Sequence, residues 1–249
     1  MGGDEMHIGS MSPYEHDIAI IKQYGKKYKL SLCKALKRKG FEIERERILG
    51  VNNAKLENNI SRAKSKVFEY AYCNEFEYFV TLTINPAKYD RTNLQGYYKD
   101  FSQWLRDYSK KHKTKIKYLF IPERHDDGCW HMHGFISGII QEHLIINEHG
   151  YLDWEHYKNK FGWISLDKIR NQEACAKYIT KYVNKNLEDS IKDLNAHMYY
   201  SSKGLNKAVE IKRGTLSANS IPLDYDFEND YVKIKWFNDE FLAKASVIE

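Results

Sequence analysis

The sequence predicts an α+β protein with one mainly antiparallel sheet and helices packed on it. Three observations lead there. At Phe76 the hydrophobic period changes from a helical three-to-four spacing to the aromatic and β-branched run Tyr78-Phe-Val-Thr-Leu-Thr-Ile84. Two further runs, Lys117 to Ile121 and Trp130 to Ile140, flank the turn Asp126-Asp127-Gly128 and read as a hairpin. Stretches of helical spacing separate strands that do not follow one another directly.

Met1 to Ser10 is polar, Gly-bearing and non-periodic, a flexible end or expression remnant. From about Tyr14 to Tyr72 the spacing reads as helical, clearest at Leu56, Ile60, Ala63, Val67 and Ala71, and Gly40 and Gly50-Val-Asn-Asn53 break it into segments. Residues 11–73 are therefore expected to form a basic helical N-terminal extension, and residues 74–249 the main domain. The strand over Tyr78 to Ile84 stops at Asn85-Pro86. Leu94, Tyr97, Phe101, Trp104, Leu105 and Tyr108 then follow helical spacing, and basic residues from Lys110 to Lys115 suit the negative C-terminal end of that helix. Residues 141–160 show no strong period and read as an insertion loop. Phe161 to Leu166 is a fourth strand candidate, Gln172 to Leu187 a helix, and Ala208 to Arg213 and Tyr231 to Phe237 short strands.

With 249 residues, 42% of them hydrophobic, the chain can bury one substantial core and at most a small appended domain. A charged fraction of 29% and a mean hydropathy of −0.67 give a soluble composition. No run has the apolar length of a membrane span and no secretory layout opens the chain, so no membrane partner and a cytoplasmic location are expected. Cys33, Cys73, Cys129 and Cys175 are scattered without a CxxC pair, which suggests neither a zinc knuckle nor a disulfide framework. The net charge of +5 is modest, but Lys22 to Lys39 is a run of eight basic residues with no acidic one, interleaved with Tyr24 and Tyr28. Lys26, Lys27, Lys37 and Lys39 are candidate phosphate contacts, and a solvated basic face is the alternative.

Chemistry concentrates in two motifs. In His131-Met132-His133-Gly134-Phe135 the two histidines alternate onto one face of a strand and can share a metal ion. The partner strand ends at Pro122-Glu123, so hairpin geometry brings Glu123 to the pair; His125 falls in the turn and is the weaker candidate. Two imidazoles and a carboxylate can hold a divalent ion with positions left open for a substrate oxygen. On the later helix Cys175, Ala176, Ile179, Val183 and Leu187 form an apolar arc, Tyr178 and Tyr182 flank it, and Lys177, Lys181 and Lys185 lie just beyond. Such lysines would attract a phosphodiester and lower a tyrosine's pKa, which favours a phenolate nucleophile.

Phe79-Val-Thr-Leu-Thr83, then His131-Met-His133-Gly-Phe135, then Tyr178-x-x-Lys181-Tyr182-x-x-Lys185 resembles, in order, the three motifs of the HUH endonucleases, specifically the Rep-type initiators of rolling-circle replication from phages and small plasmids. The resemblance covers about Phe76 to Leu205. It implies a five-stranded antiparallel sheet with helices on its faces, and Mg²⁺ or Mn²⁺ held by His131, His133 and Glu123. It also implies nucleophilic attack by Tyr178 or Tyr182, assisted by Lys181 or Lys185, on single-stranded DNA at a replication origin or hairpin, with a 5′-phosphotyrosine link and a free 3′ hydroxyl. Tyr199 to Gly204 is similar to the segment that follows this helix in phage initiators, which makes Lys203, with Lys177, an expected DNA contact. A host polymerase in a bacterial cytoplasm would extend the 3′ end. No GxxxxGK[ST] occurs, so a separate helicase is expected. The alternatives are a relaxase or single-strand transposase of the same superfamily, a water-activating phosphodiesterase, and a non-catalytic nucleic-acid-binding protein.

Overall fold

A computed structural model of the chain describes residues 14–38, 53–185, 197–216, 224–240 and 247–248. Two compact units emerge, Gly50–Lys207 and, from the two ends of the chain, Met1–Leu49 with Ala208–Glu249.

The terminal unit is built from β1 (Tyr14–Tyr24) and β2 (Lys27–Lys37), which pair with each other, and from β10 (Val209–Leu216), β11 (Phe227–Glu228), β12 (Val232–Phe237) and β13 (Val247–Ile248). They form a six-stranded sheet in the order β11-β12-β2-β1-β10-β13. The expected helical extension is corrected here, because the described residues before α1 are strands. Lysine, leucine and alanine favour helix locally, but Ala19 and Ile21 pair with Leu32 and Leu30, so period-two alternation builds a small core with Tyr28. Partners from the far end of the chain complete it: β1 pairs with β10 and β2 with β12.

The central unit carries α1 (Asn53–Cys73), β3 (Tyr78–Ile84), α2 (Leu94–Lys111), β4 (Lys117–Arg124), β5 (Trp130–Ser137), β6 (Leu144–Ile146), β7 (Leu152–Trp154), α3 (Glu155–Lys160), β8 (Gly162–Lys168), α4 (Gln172–Lys185) and β9 (Tyr200–Ser201). Its sheet has seven strands in the order β6-β7-β8-β3-β5-β4-β9, rather than five. All of its pairings are antiparallel. The expected boundary at residue 73 also moves. Ala63, Val67 and Ala71 of α1 pack in one cluster with Ala176, Ile179 and Val183 of α4, so this helix belongs to the central unit.

Both faces of the central strands are covered. Tyr78, Val80, Leu82 and Ile84 of β3, with Tyr118 and Phe120 of β4 and Met132 and Ile136 of β5, pack against Leu94, Tyr97, Phe101, Leu105 and Tyr108 of α2. The alternate residues Leu119, Ile121 and Phe135 pack under α1 and α4. A side chain at Gly134 cannot be accommodated: a Cβ there would stand 2.0 Å from the Leu119 carbonyl oxygen and 2.8 Å from Phe120 Cα.

Residues 141–160 are not the loop that the sequence suggests. They form a 3₁₀ turn at Gln141–His143, then β6, β7 and α3. Each piece is too short to carry a period and is held by tertiary contacts. Trp154 and Tyr157 are fully buried, and the Tyr157 hydroxyl lies 2.7 Å from that of Tyr97. No helix among the described residues is long and apolar enough to cross a membrane.

Candidate active site

The site grows out of the sheet face beneath α4. Alternation continues the apolar positions Leu119 and Ile121 to Glu123 on β4, and runs from Phe135 back to His133 and His131 on β5. The same face therefore turns from apolar to polar along its length. Pairing sets Glu123 opposite His131, while β3 sets Thr81 opposite His133 and Thr83 opposite His131.

This register gives each imidazole a hydroxyl partner. Thr81 Oγ1 lies 3.1 Å from His133 Nδ1, and Thr83 Oγ1 3.1 Å from His131 Nδ1. Arg91 Nη2 stands 3.2 Å from His131 Nε2. A guanidinium only donates, so this Nε2 accepts and the His131 proton sits on Nδ1, donated to Thr83. His133 Nε2 lies 2.6 Å from Glu123 Oε2, with both side chains 12% exposed. Burial, followed by the charges of His125, Arg91 and His133, pushes the pKa of His131 down to about 4. The His125 ring stacks on that of His131 at 4.1 Å.

The donor set suits a divalent ion. Both Nδ1 atoms are oriented by threonine hydroxyls, which leaves the two Nε2 atoms and the Glu123 carboxylate as nitrogen and oxygen donors with an outer shell in place. An ion on His131 Nε2 would require the Arg91 guanidinium to swing aside, and one on His133 Nε2 would loosen its contact with Glu123.

The helix α4 docks through Ala176, Ile179 and Val183, each at most 2% exposed, which suspends the two tyrosines over this site. The ring of Tyr182 stacks on His133 at 4.2 Å and 20°. Its hydroxyl is 2.8 Å from that of Tyr178, which is 45% exposed and rests against Phe79. Lys181 Nζ lies 5.5 Å from the centre of the Tyr178 ring. One sequence expectation changes sign for Tyr182. Burial, the hydrogen bond to Tyr178 and the nearby charges of Tyr178 and Glu123 raise its pKa, and so keep its proton on.

Lys177 is exposed and paired with Glu173 at 2.9 Å, and the side chain of Lys185, the last residue of α4, lies outside the described residues. Lys203 is exposed in the turn after β9. Lys26 and Lys27 sit at the β1–β2 turn and Lys37 at the end of β2, all in the terminal unit, whereas Lys39 lies outside the described residues. The sequence reading left Thr81, Thr83, Arg91 and Lys168 without a role. The two-residue spacing of Thr81 and Thr83 matches that of His131 and His133, a signal visible once β3 and β5 are aligned. An open groove of about 600 Å³ beside Tyr178 includes Phe79, Lys168, Lys177 and Lys181 in its lining.

No curated protein and no solved structure matches the chain. Residues 77–187, which carry the histidines, Glu123 and both tyrosines, match the family model of the replication-associated protein ORF2/G2P, in keeping with a rolling-circle replication initiator.

Proposed function

We propose that the chain is a metal-dependent endonuclease and strand transferase of the two-tyrosine HUH type, which starts rolling-circle replication by nicking single-stranded DNA. The observation that carries this reading is the stacking of Tyr182 on His133, with Glu123 against the same imidazole and Tyr178 hydrogen-bonded to the Tyr182 hydroxyl. A nucleophile and a candidate metal site thus occupy one spot, on a span that matches a replication-associated family.

The reaction exchanges one phosphodiester for another. A tyrosine oxygen bonds to phosphorus, the bond from phosphorus to the 3′ oxygen breaks, the phenol loses its proton and the departing 3′ oxygen gains one. Bond energy is retained as a 5′-phosphotyrosine, so the 3′ hydroxyl can prime synthesis and joining needs no nucleotide. Mg²⁺ or Mn²⁺, when held by His131, His133 and Glu123, would polarise the scissile phosphate and offset the charge that develops on it.

The chain's own residues divide the rest of the work. His133 holds the Tyr182 ring by stacking, and Thr81 and Thr83 hold the imidazoles. Arg91, whose buried Nε has no hydrogen-bond partner among the described residues, can meet a phosphate oxygen with a charge-assisted bond. Lys181 and Lys168 supply positive charge along the groove, where Phe79 offers a ring for a base to stack on. Tyr182, nearest the histidines, acts first, and Tyr178 takes the next strand transfer. The partners are single-stranded origin DNA, a separate helicase and a host polymerase in a bacterial cytoplasm.

Incubation with a pool of single-stranded oligonucleotides and Mn²⁺, followed by a denaturing gel, tests this reading. A DNA-linked protein band that disappears with EDTA is expected; binding without any linked band would place the chain among non-catalytic DNA-binding proteins.

A further inference from the structure

Three of the histidines that the proposed reaction does not use are gathered by the fold at one spot. His112 is the C-cap of α2, His143 ends the 3₁₀ turn, and His156 lies in the first turn of α3. Widely separated in sequence, they offer one ligand atom each, all within 4.8 Å of one another. The His143 and His156 rings are 4.1 Å apart, and His112 lies 4.7 Å from His143. A tetrahedral ion with nitrogen at about 2.0–2.1 Å needs ligand atoms roughly 3.3 Å apart. Small rotations of His156, on the exposed side of α3, and of the partly buried His112 can close the difference.

The surroundings resemble those of a held ligand. Tyr108 is 4% exposed, and its ring touches His112 at 4.5 Å and His143 at 5.6 Å. Its hydroxyl lies 2.7 Å from His143 Nδ1 and accepts the Ile140 N–H at 3.2 Å, which fixes the ring and leaves Nε2 as the coordinating atom.

We propose that His112, His143 and His156 form a second metal site, one that takes Zn²⁺ in preference to Mg²⁺ and ties the C-terminal end of α2 to the insertion at residues 141–160. An all-imidazole donor set favours zinc and its transition-metal neighbours over Mg²⁺, which takes oxygen ligands. The inference is independent of the nicking reaction, because none of these residues belongs to the proposed catalytic cluster.

The test is zinc content after equilibrium dialysis of the full-length protein with Zn²⁺, compared with variants. His156→Ala, at an exposed position, should lower bound Zn²⁺ by one equivalent and reduce the zinc-dependent rise in melting temperature. Tyr108→Phe should keep the fold and weaken that equivalent by about 10- to 100-fold, as loss of an outer-shell partner does. His131→Ala with His133→Ala should leave the equivalent in place. Unchanged zinc content in both His156→Ala and His143→Ala would overturn the proposal, as would an equivalent that disappears only with His131 and His133.

Discussion

The central unit holds two clusters of histidines that share a residue type and little else. His131 and His133 stand on one strand, two residues apart, with threonine hydroxyls behind them, a carboxylate beside them and a tyrosine stacked on top. His112, His143 and His156 come from three separate segments around one tyrosine, with no carboxylate in the donor set. The first set mixes nitrogen with oxygen and lies below the proposed nucleophile. The second offers nitrogen alone and joins structural elements. The neighbours, rather than the imidazoles themselves, decide what each cluster can do.

The sharpest way to break this contrast is to exchange losses between the clusters. His131→Ala or His133→Ala should lower strand cleavage by on the order of a thousandfold, the scale expected when transition-state charge loses its stabilisation. Affinity for single-stranded DNA should change little, because lysine and arginine contacts dominate it. His156→Ala should leave the cleavage rate as it was. Parallel loss of binding and cleavage in the strand variants would make that pair structural.

Gly134→Ala follows in size. The added methyl meets the Leu119 carbonyl, so β4 and β5 must part where they carry Glu123 and His133, and a loss of about 3 kcal/mol or more is expected in chemical denaturation. Near-normal stability would mean that this strand pair yields more easily than its register suggests.

Thr81→Val and Thr83→Val sharpen the comparison further. Each keeps the shape of the strand and removes the hydroxyl that orients an imidazole, so Mn²⁺ affinity measured by titration should fall by about 10- to 100-fold. A change below about threefold would remove the threonines from the outer shell.

These threonines also show where the sequence is legible. The turn Asp126-Asp127-Gly128 between two apolar runs predicts the β4–β5 hairpin, and that pairing places Glu123 beside the histidines. The tyrosine pair is equally readable, because α4 must bury Ala176, Ile179 and Val183 and so carries Tyr178 and Tyr182 at the edge of its contact. Arg91 has no such signal; it reaches His131 from a loop. The strands over Tyr14 to Lys37 were hidden for a different reason. Lysines, leucines and Ala35 of β2 favour helix locally and disguise the hairpin that the isoleucines of β1 and the Gly25-Lys26 turn support, and the strands that flank this hairpin, β10 and β12, lie almost two hundred residues away. The His112 cluster was invisible because the 141–160 insertion folds through aromatic contacts, not through a period of its own.

Acid gives a smaller effect. The folded-state pKa of His131 lies near 4, below the ordinary imidazole value of 6.5, so the unfolded chain binds more protons between these limits. Stability in chelator should therefore fall as pH drops from about 6.5 to about 4, and His131→Gln should flatten that fall by about 1 kcal/mol after solvent screening. An unaltered profile in the variant would assign the fall to other groups.

The central claim is that Tyr182 and Tyr178 carry the covalent chemistry, and peptide mapping of the DNA-linked protein formed with Mn²⁺ tests it most directly. The linked nucleotide is expected on Tyr182, with a smaller fraction on Tyr178, and no adduct in Tyr178→Phe/Tyr182→Phe, whose rings keep their packing. A linkage on any other residue, or undiminished adduct in the double variant, would contradict the account.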